Sequence, residues 1–227
     1  MKRLLLPVSF LLITIFTYSQ ELSQVTFSGG ASFSSFSFTT DQQIIIKISD
    51  DGKVLEWGNQ QEAGRYYNNP GKLQDYMGRV DYYGSEADSI SKGKVKSIGT
   101  CYFTYYGAFE MPEKRGKIKS LGRVTLDYYT NFENSAFKGK LKFAGNTVFS
   151  YYASHENEAF VGKLKSVANT TLAYYSTFDD KLIKGKIKSI GAYNYVWFSS
   201  FDSRNYQGGL KSGTLAQNVN GVIYIIM

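Results

Sequence analysis

A glycine recurs at Gly93, Gly116, Gly139, Gly162, Gly185 and Gly208, each 23 residues after the last. An aromatic pair keeps step with it: Tyr82-Tyr83, Tyr105-Tyr106, Tyr128-Tyr129, Tyr151-Tyr152, Tyr174-Tyr175 and Trp197-Phe198. Two markers locked to one period across more than half of the 227 residues define a repeat architecture. Each unit is one supersecondary element that cannot bury its own apolar face, so neighbours must stack. Looser copies lie upstream, in "DDGKVLEWGNQQEAGRYY" (50–67) and "NNPGKLQDYMGRVDYY" (68–83).

A unit such as "RGKIKSLGRVTLDYYTNFENSAF" (115–137) reads as two strands, about 115–120 and 124–132. Gly122 sits in the tight connection and 133–138 forms the longer return loop. A three-residue connection, Leu121 to Arg123, sorts the side chains best, because it sets Ile118 beside Leu126 and Lys117 beside Asp127. One face then carries Ile118, Val124, Leu126, Tyr128 and Phe132, with Phe149 and Phe201 among the equivalents. The other carries Lys117, Lys119, Asp127 and Tyr129.

The lysine columns separate two ways of stacking. In a β-solenoid, Lys94, Lys117, Lys140, Lys163 and Lys186 would stand ~4.8 Å apart as a like-charge ladder. In a meander of antiparallel hairpins, tyrosine strands intervene and the lysines stand ~9.6 Å apart, near the ~8 Å screening length at physiological salt. The expected fold is therefore all-β, an antiparallel meander of 23-residue hairpins forming an extended twisted sheet, with the β-solenoid as alternative. The apolar face needs a cover. Residues 36–49, the last strand 222–227, closure of the sheet on itself and a second copy are all open candidates.

The expected organisation runs from a signal peptide (1–19) through an N-terminal β segment or cap (20–49) and irregular repeats (50–92). Regular hairpins (93–215) and a C-terminal capping strand (216–227) follow. Lys2 and Arg3, the apolar run Leu4 to Phe16 and the small residues Thr17 and Ser19 form the export pattern. Its removal lowers the net charge from +7 to +5. The lone Cys101 excludes an internal disulfide, and its repeat position suggests a half-buried strand site. Export points to the periplasm, the cell surface or the medium.

The unit length of 23, the Gly-Lys at the turn and the paired aromatics resemble the MORN repeat, a hairpin repeat that builds a twisted, extended sheet. The "YxGxW" and "GxG" signature of that family is absent. The resemblance implies scaffolding and membrane-associated binding without catalysis.

No constellation for chemistry stands out. His155, the only histidine, occupies the column held elsewhere by Phe109, Phe132, Phe178 and Phe201, so neither a metal cluster nor a nucleophile-base pair can be assembled around it. Glu110, Glu133, Glu156, Asp179 and Asp202 recur at ~9.6 Å, too far apart to share one cation. The Gly-Lys motifs lack the spacing of a phosphate loop. No cofactor is expected.

The surface singled out for binding is the basic-aromatic face: Lys94, Lys117, Lys140, Lys163, Lys186, Tyr106, Tyr129, Tyr152 and Tyr175. Cations beside aromatic rings suit an anionic polymer. The expected function is an exported, non-enzymatic binding or structural module. Its expected partner is an anionic polysaccharide or envelope component, a protein, or a second copy, in preference to nucleic acid. An outer-membrane β-barrel and a glycan-active enzyme are the alternatives.

Overall fold

The computed structural model describes residues 21–61 and 71–227; the expected signal segment lies outside them, as do Tyr66 and Tyr67 of the first aromatic pair. The described chain is all-β and its strands form two main sheets. The first is started by β1 (Glu21–Ser28), β2 (Ser32–Thr39), β3 (Ile44–Ile48), β4 (Val54–Gln60) and β5 (Leu73–Asp75), paired in that order.

The second sheet is the repeat array. It opens with β6 (Val80–Tyr82), and five hairpins follow. They are β7 (Val95–Ile98) with β8 (Cys101–Tyr105), β9 (Ile118–Leu121) with β10 (Val124–Tyr128), β11 (Leu141–Ala144) with β12 (Thr147–Tyr151), β13 (Leu164–Val167) with β14 (Thr170–Tyr174), and β15 (Ile187–Ile190) with β16 (Tyr193–Asn194). All eleven strands pair antiparallel in sequence order, the expected meander. A solenoid would need parallel stacking of equivalent strands. A short pair, β17 (Val196–Trp197) and β18 (Leu210–Ser212), continues the pattern.

The chain then returns to the first sheet. β19 (Ala216–Val219) and β20 (Val222–Ile226) complete it, with β20 running parallel to β1. The cover left open by the sequence is thus built from both suspected segments. The looser copies at 50–75 lie in this covering sheet as β4 and β5, so the array proper starts at Val80. Both sheets stay open and neither closes into a barrel, which gives the membrane-barrel alternative no counterpart in this fold. Among the described residues, no helix is long and apolar enough to cross a membrane.

The hairpin register differs from the expected one. Leu121 pairs with Val124, so the connection has two residues, Gly122 and Arg123. Gly122 takes φ +54, the first position of a turn that favours glycine there. A two-residue turn alone would put Lys119 on the apolar face. The conflict is removed by a β-bulge, because Tyr105 pairs with Ile118 and Leu121 with Phe103, leaving Lys119 as the extra residue. The same bulge recurs at Lys96, Lys142, Lys165, Lys188 and Lys211. Each bulge turns the strand over once more, so Ile118 and Leu121, three residues apart, both face the core and are fully buried.

One apolar core spans the two sheets. Phe36 of the covering sheet meets Phe149 of the array with ring centroids 4.5 Å apart. Cys101 is fully buried in this core, beyond the half-buried position expected of it, and burial pushes its thiol up to about 12. The loops of the covering sheet also dock on the array's backbone. Leu141 N–H donates to Asp50 O and Ile187 N–H to Gly30 O, each at 2.7 Å, while Ile118 N–H donates to Gly52 O at 3.4 Å. These amides belong to bulged strands, so the loop carbonyls satisfy groups that the bulge takes out of the regular ladder.

Candidate binding surface

The first lysine of each unit is tied into the joint between repeats. Lys140 donates to Gly162 O at 2.9 Å and Lys186 to Gly208 O at 2.7 Å; Lys94, Lys117 and Lys163 reach Gly116 O, Gly139 O and Gly185 O in the same way. Each ammonium also stands over the first aromatic ring of its own unit, from 4.3 Å for Lys186 on Trp197 to 5.3 Å for Lys140 on Tyr151. Lys163 and Lys186 further donate to Ala31 O and Gly29 O in the covering sheet. Burial holds Lys94, Lys117, Lys163 and Lys186 below the usual lysine range.

The tyrosines are similarly engaged. The hydroxyls of Tyr106, Tyr129, Tyr152 and Tyr175 donate at 2.8–3.0 Å to carbonyls of Leu126, Phe149, Leu172 and Tyr195, 20 residues on in the next unit. Tyr106 is buried and the other three are half-buried. The predicted lysines and tyrosines are therefore brought together, as a regular seam with much of its hydrogen-bonding capacity spent on the neighbouring repeat.

A different surface lies along the edge formed by the return loops. Phe132, Phe178 and Phe201 are 80, 95 and 92% exposed and Phe109 is fully exposed, with His155 exposed in the same column. Assigning Phe132 and Phe201 to the apolar sheet face is thus corrected: β10 ends at Tyr128, and Phe132 falls in the turn beyond it. Single exposed apolar residues are ordinary. A row of phenylalanines at one position in successive turns is not.

These turns are rigidly built. Thr130 N–H and Oγ1 both donate to Glu133 Oε2, at 2.7 and 2.6 Å, and Thr130 Oγ1 accepts from Phe132 N–H. Ser176 with Asp179 and Ser199 with Asp202 repeat the pattern around Phe178 and Phe201. Three successive turns are also braced to the next. Asn134 binds Ser154, Asn157 binds Thr177 and Asp180 binds Ser200, all through both backbone N–H and hydroxyl.

The bulge lysines flank this edge. Lys142, Lys165 and Lys211 pair with Glu133, Glu156 and Asp202 at 2.8–3.0 Å. They also lie 5.1–5.4 Å above the rings of Tyr129, Tyr152 and Phe198. The hydrogen bond from Lys142 holds the Glu133 carboxyl at about 2, and that from Lys211 does the same for Asp202. Four of the five recurring acids, Glu133, Glu156, Asp179 and Asp202, therefore anchor their turns. The signal that could have revealed the exposed ring is the text "TNFE", "STFD" and "SSFD": a hydroxyl residue and an acid three apart frame a capped turn, with phenylalanine at its outer position.

A cleft of about 400 Å³ opens where the covering loops meet the array, lined by Ser34, Asp50, Lys140, Tyr151 and Lys163 among others. Asp50 is bound to Lys140 at 2.9 Å and is the sole carboxylate among the residues lining it. It supplies no second carboxyl for paired acid-base chemistry. Among the described residues no group of three or more metal-ligating side chains comes together. The chain matches no protein family, no curated protein and no solved structure.

Proposed function

We propose that the chain is an exported, non-enzymatic β-repeat module that binds an envelope or extracellular partner, and that its contact surface is the return-loop edge. The observation that carries this reading is the column of exposed phenylalanines on capped, cross-braced turns. Exposing an apolar ring in four of five successive repeats has no packing use, whereas aromatic side chains held on rigid supports are favoured contact groups. The lysine-tyrosine seam takes the supporting role. Its ammonium groups and hydroxyls join one repeat to the next and so fix the interval at which the rings stand.

The test is a binding screen of the purified chain against anionic polysaccharides, neutral polysaccharides, lipid vesicles and itself, run beside a Phe178→Ser, Phe201→Ser variant. Whatever partner the chain takes, the variant loses most of the binding while its unfolding midpoint stays unchanged. Lys117→Gln does the reverse, lowering stability and leaving affinity intact. Full binding by a correctly folded ring variant refutes the assignment of the surface.

A further inference from the structure

We infer that the phenylalanine ladder takes an extended, neutral, regularly repeating polysaccharide, with one aromatic ring for every two sugars. This rests on the return-loop edge being the contact surface and goes on to name its ligand.

The first argument is periodicity. The turns that carry Phe109, Phe132, His155 and Phe178 are separated by two strands of one sheet, so these positions recur about every 9.6 Å, with His155 in place of one phenylalanine and Phe201 on the short pair that follows. The braces from Asn134 to Ser154 and from Asn157 to Thr177 keep neighbouring turns in step. A row of identical contacts at a fixed interval is matched by a ligand that repeats at the same interval. In an extended β-1,4-linked glycan each sugar is turned over relative to the last, so like faces recur at every second sugar, over a length of this size.

Ring chemistry points the same way. Phenylalanine offers a flat apolar face and no polar handle, which suits the C–H face of a pyranose. The rings stand apart on turns that also carry exposed polar groups, such as Asn131 beside Phe132. Sugar hydroxyls can satisfy those groups, whereas a bilayer or an apolar protein face would bury them unpaired.

Charge decides between anionic and neutral chains. Glu133, Glu156 and Asp202 sit beside the ladder, and Lys142, Lys165 and Lys211 are bound to them. At these three turns acid and lysine balance, and the column lysines Lys140 and Lys163, which would hold an anionic polymer, are engaged with the neighbouring repeat. This moves the ligand away from the anionic glycan expected from the lysine columns alone.

Affinity is measured by calorimetry for cello- and chito-oligosaccharides from disaccharide to octasaccharide, at low and high salt. The expected result is a rise of about fivefold for each added disaccharide, the order of one aromatic contact, until the ladder is filled. Salt leaves it unchanged. Phe178→Ser removes one step for the longest chain and leaves the disaccharide unaffected, while His155→Phe strengthens the longest chain. Smooth growth without two-sugar steps, or binding only to anionic chains with loss at high salt, overturns the inference. If no oligosaccharide binds while Phe178→Ser, Phe201→Ser abolishes vesicle binding or self-association, the glycan is wrong and the contact surface stands. If oligosaccharides bind equally well to that double variant, the surface itself is wrong.

Discussion

Phe149 and Phe132 were both expected on the apolar face of the array, yet the structure gives them opposite fates, one within β12 and the other in the turn beyond β10. Phe149 is fully buried and its ring meets Phe36 across the two sheets at 4.5 Å. Phe149→Ala removes a ring from between two layers that cannot close around the gap, for a cost of about 3–5 kcal/mol. Phe132 is 80% exposed, so Phe132→Ala should stay within about 0.5 kcal/mol of the parent. With a urea slope of about 2–3 kcal/mol per molar, the midpoint falls by about 1–2.5 M for Phe149→Ala and by less than about 0.3 M for Phe132→Ala. Urea unfolding followed by tyrosine and tryptophan fluorescence reads both. A double-mutant cycle of Phe36→Ala with Phe149→Ala should leave a coupling of about 0.5–1.5 kcal/mol, the part belonging to the ring pair. Comparable losses at Phe132 and Phe149 would refute the two-residue turn and bulge that send one ring inward and the other to the surface.

Gly30 takes φ +67, and a Cβ there would lie 2.0 Å from the Trp197 ring. Gly30→Ala should therefore cost about 2–4 kcal/mol and change the near-ultraviolet circular dichroism of Trp197, whereas Gly29→Ala, with φ +58 and open space around it, should cost only the backbone strain of about 1 kcal/mol. Glu133 and Asp202 have folded-state pKa values near 2, below their ordinary range, so their hold on the turns is present above that range and lost as pH falls through about 2. Hydrogen exchange at the Thr130 and Ser199 amides should lose protection between about pH 4.5 and 2, and Lys142→Gln should move the Glu133 titration back toward the ordinary value.

The repeat and the antiparallel pairing were legible, because a period of 23 and like-charge spacing act on every unit alike; the cover was left open among residues 36–49, residues 222–227, closure of the sheet and a second copy, and the fold selects the first two. The register was not. Counting alternation from Gly122 assumes a regular ladder, and the extra residue at Lys119 breaks it. Its trace was nevertheless present: the spacing of Ile118 and Leu121, both apolar and three apart, cannot share one face of an unbulged strand. The lysine and tyrosine columns were found correctly as columns, but residue type could not tell an ammonium facing solvent from one donating to Gly139 O or Gly162 O. Phe132 was placed inside because the second strand was carried on to residue 132 with strict alternation, whereas β10 ends at Tyr128 and a capped turn takes over.

The docking of the covering loops also bears on how such a chain can change over time. Open repeat arrays gain and lose units readily, since each contacts only its neighbours. Here the carbonyls of Asp50 and Gly52 meet the units beginning at Ile118 and Leu141, while Gly30 meets the one beginning at Ile187. Both loops belong to one sheet of fixed strand order, so it works as a ruler laid along the array. Duplicating a 23-residue unit between Leu141 and Ile187 would carry one docking point past its loop. The number of repeats between those two marks is thereby set by the lid and cannot drift by simple copying.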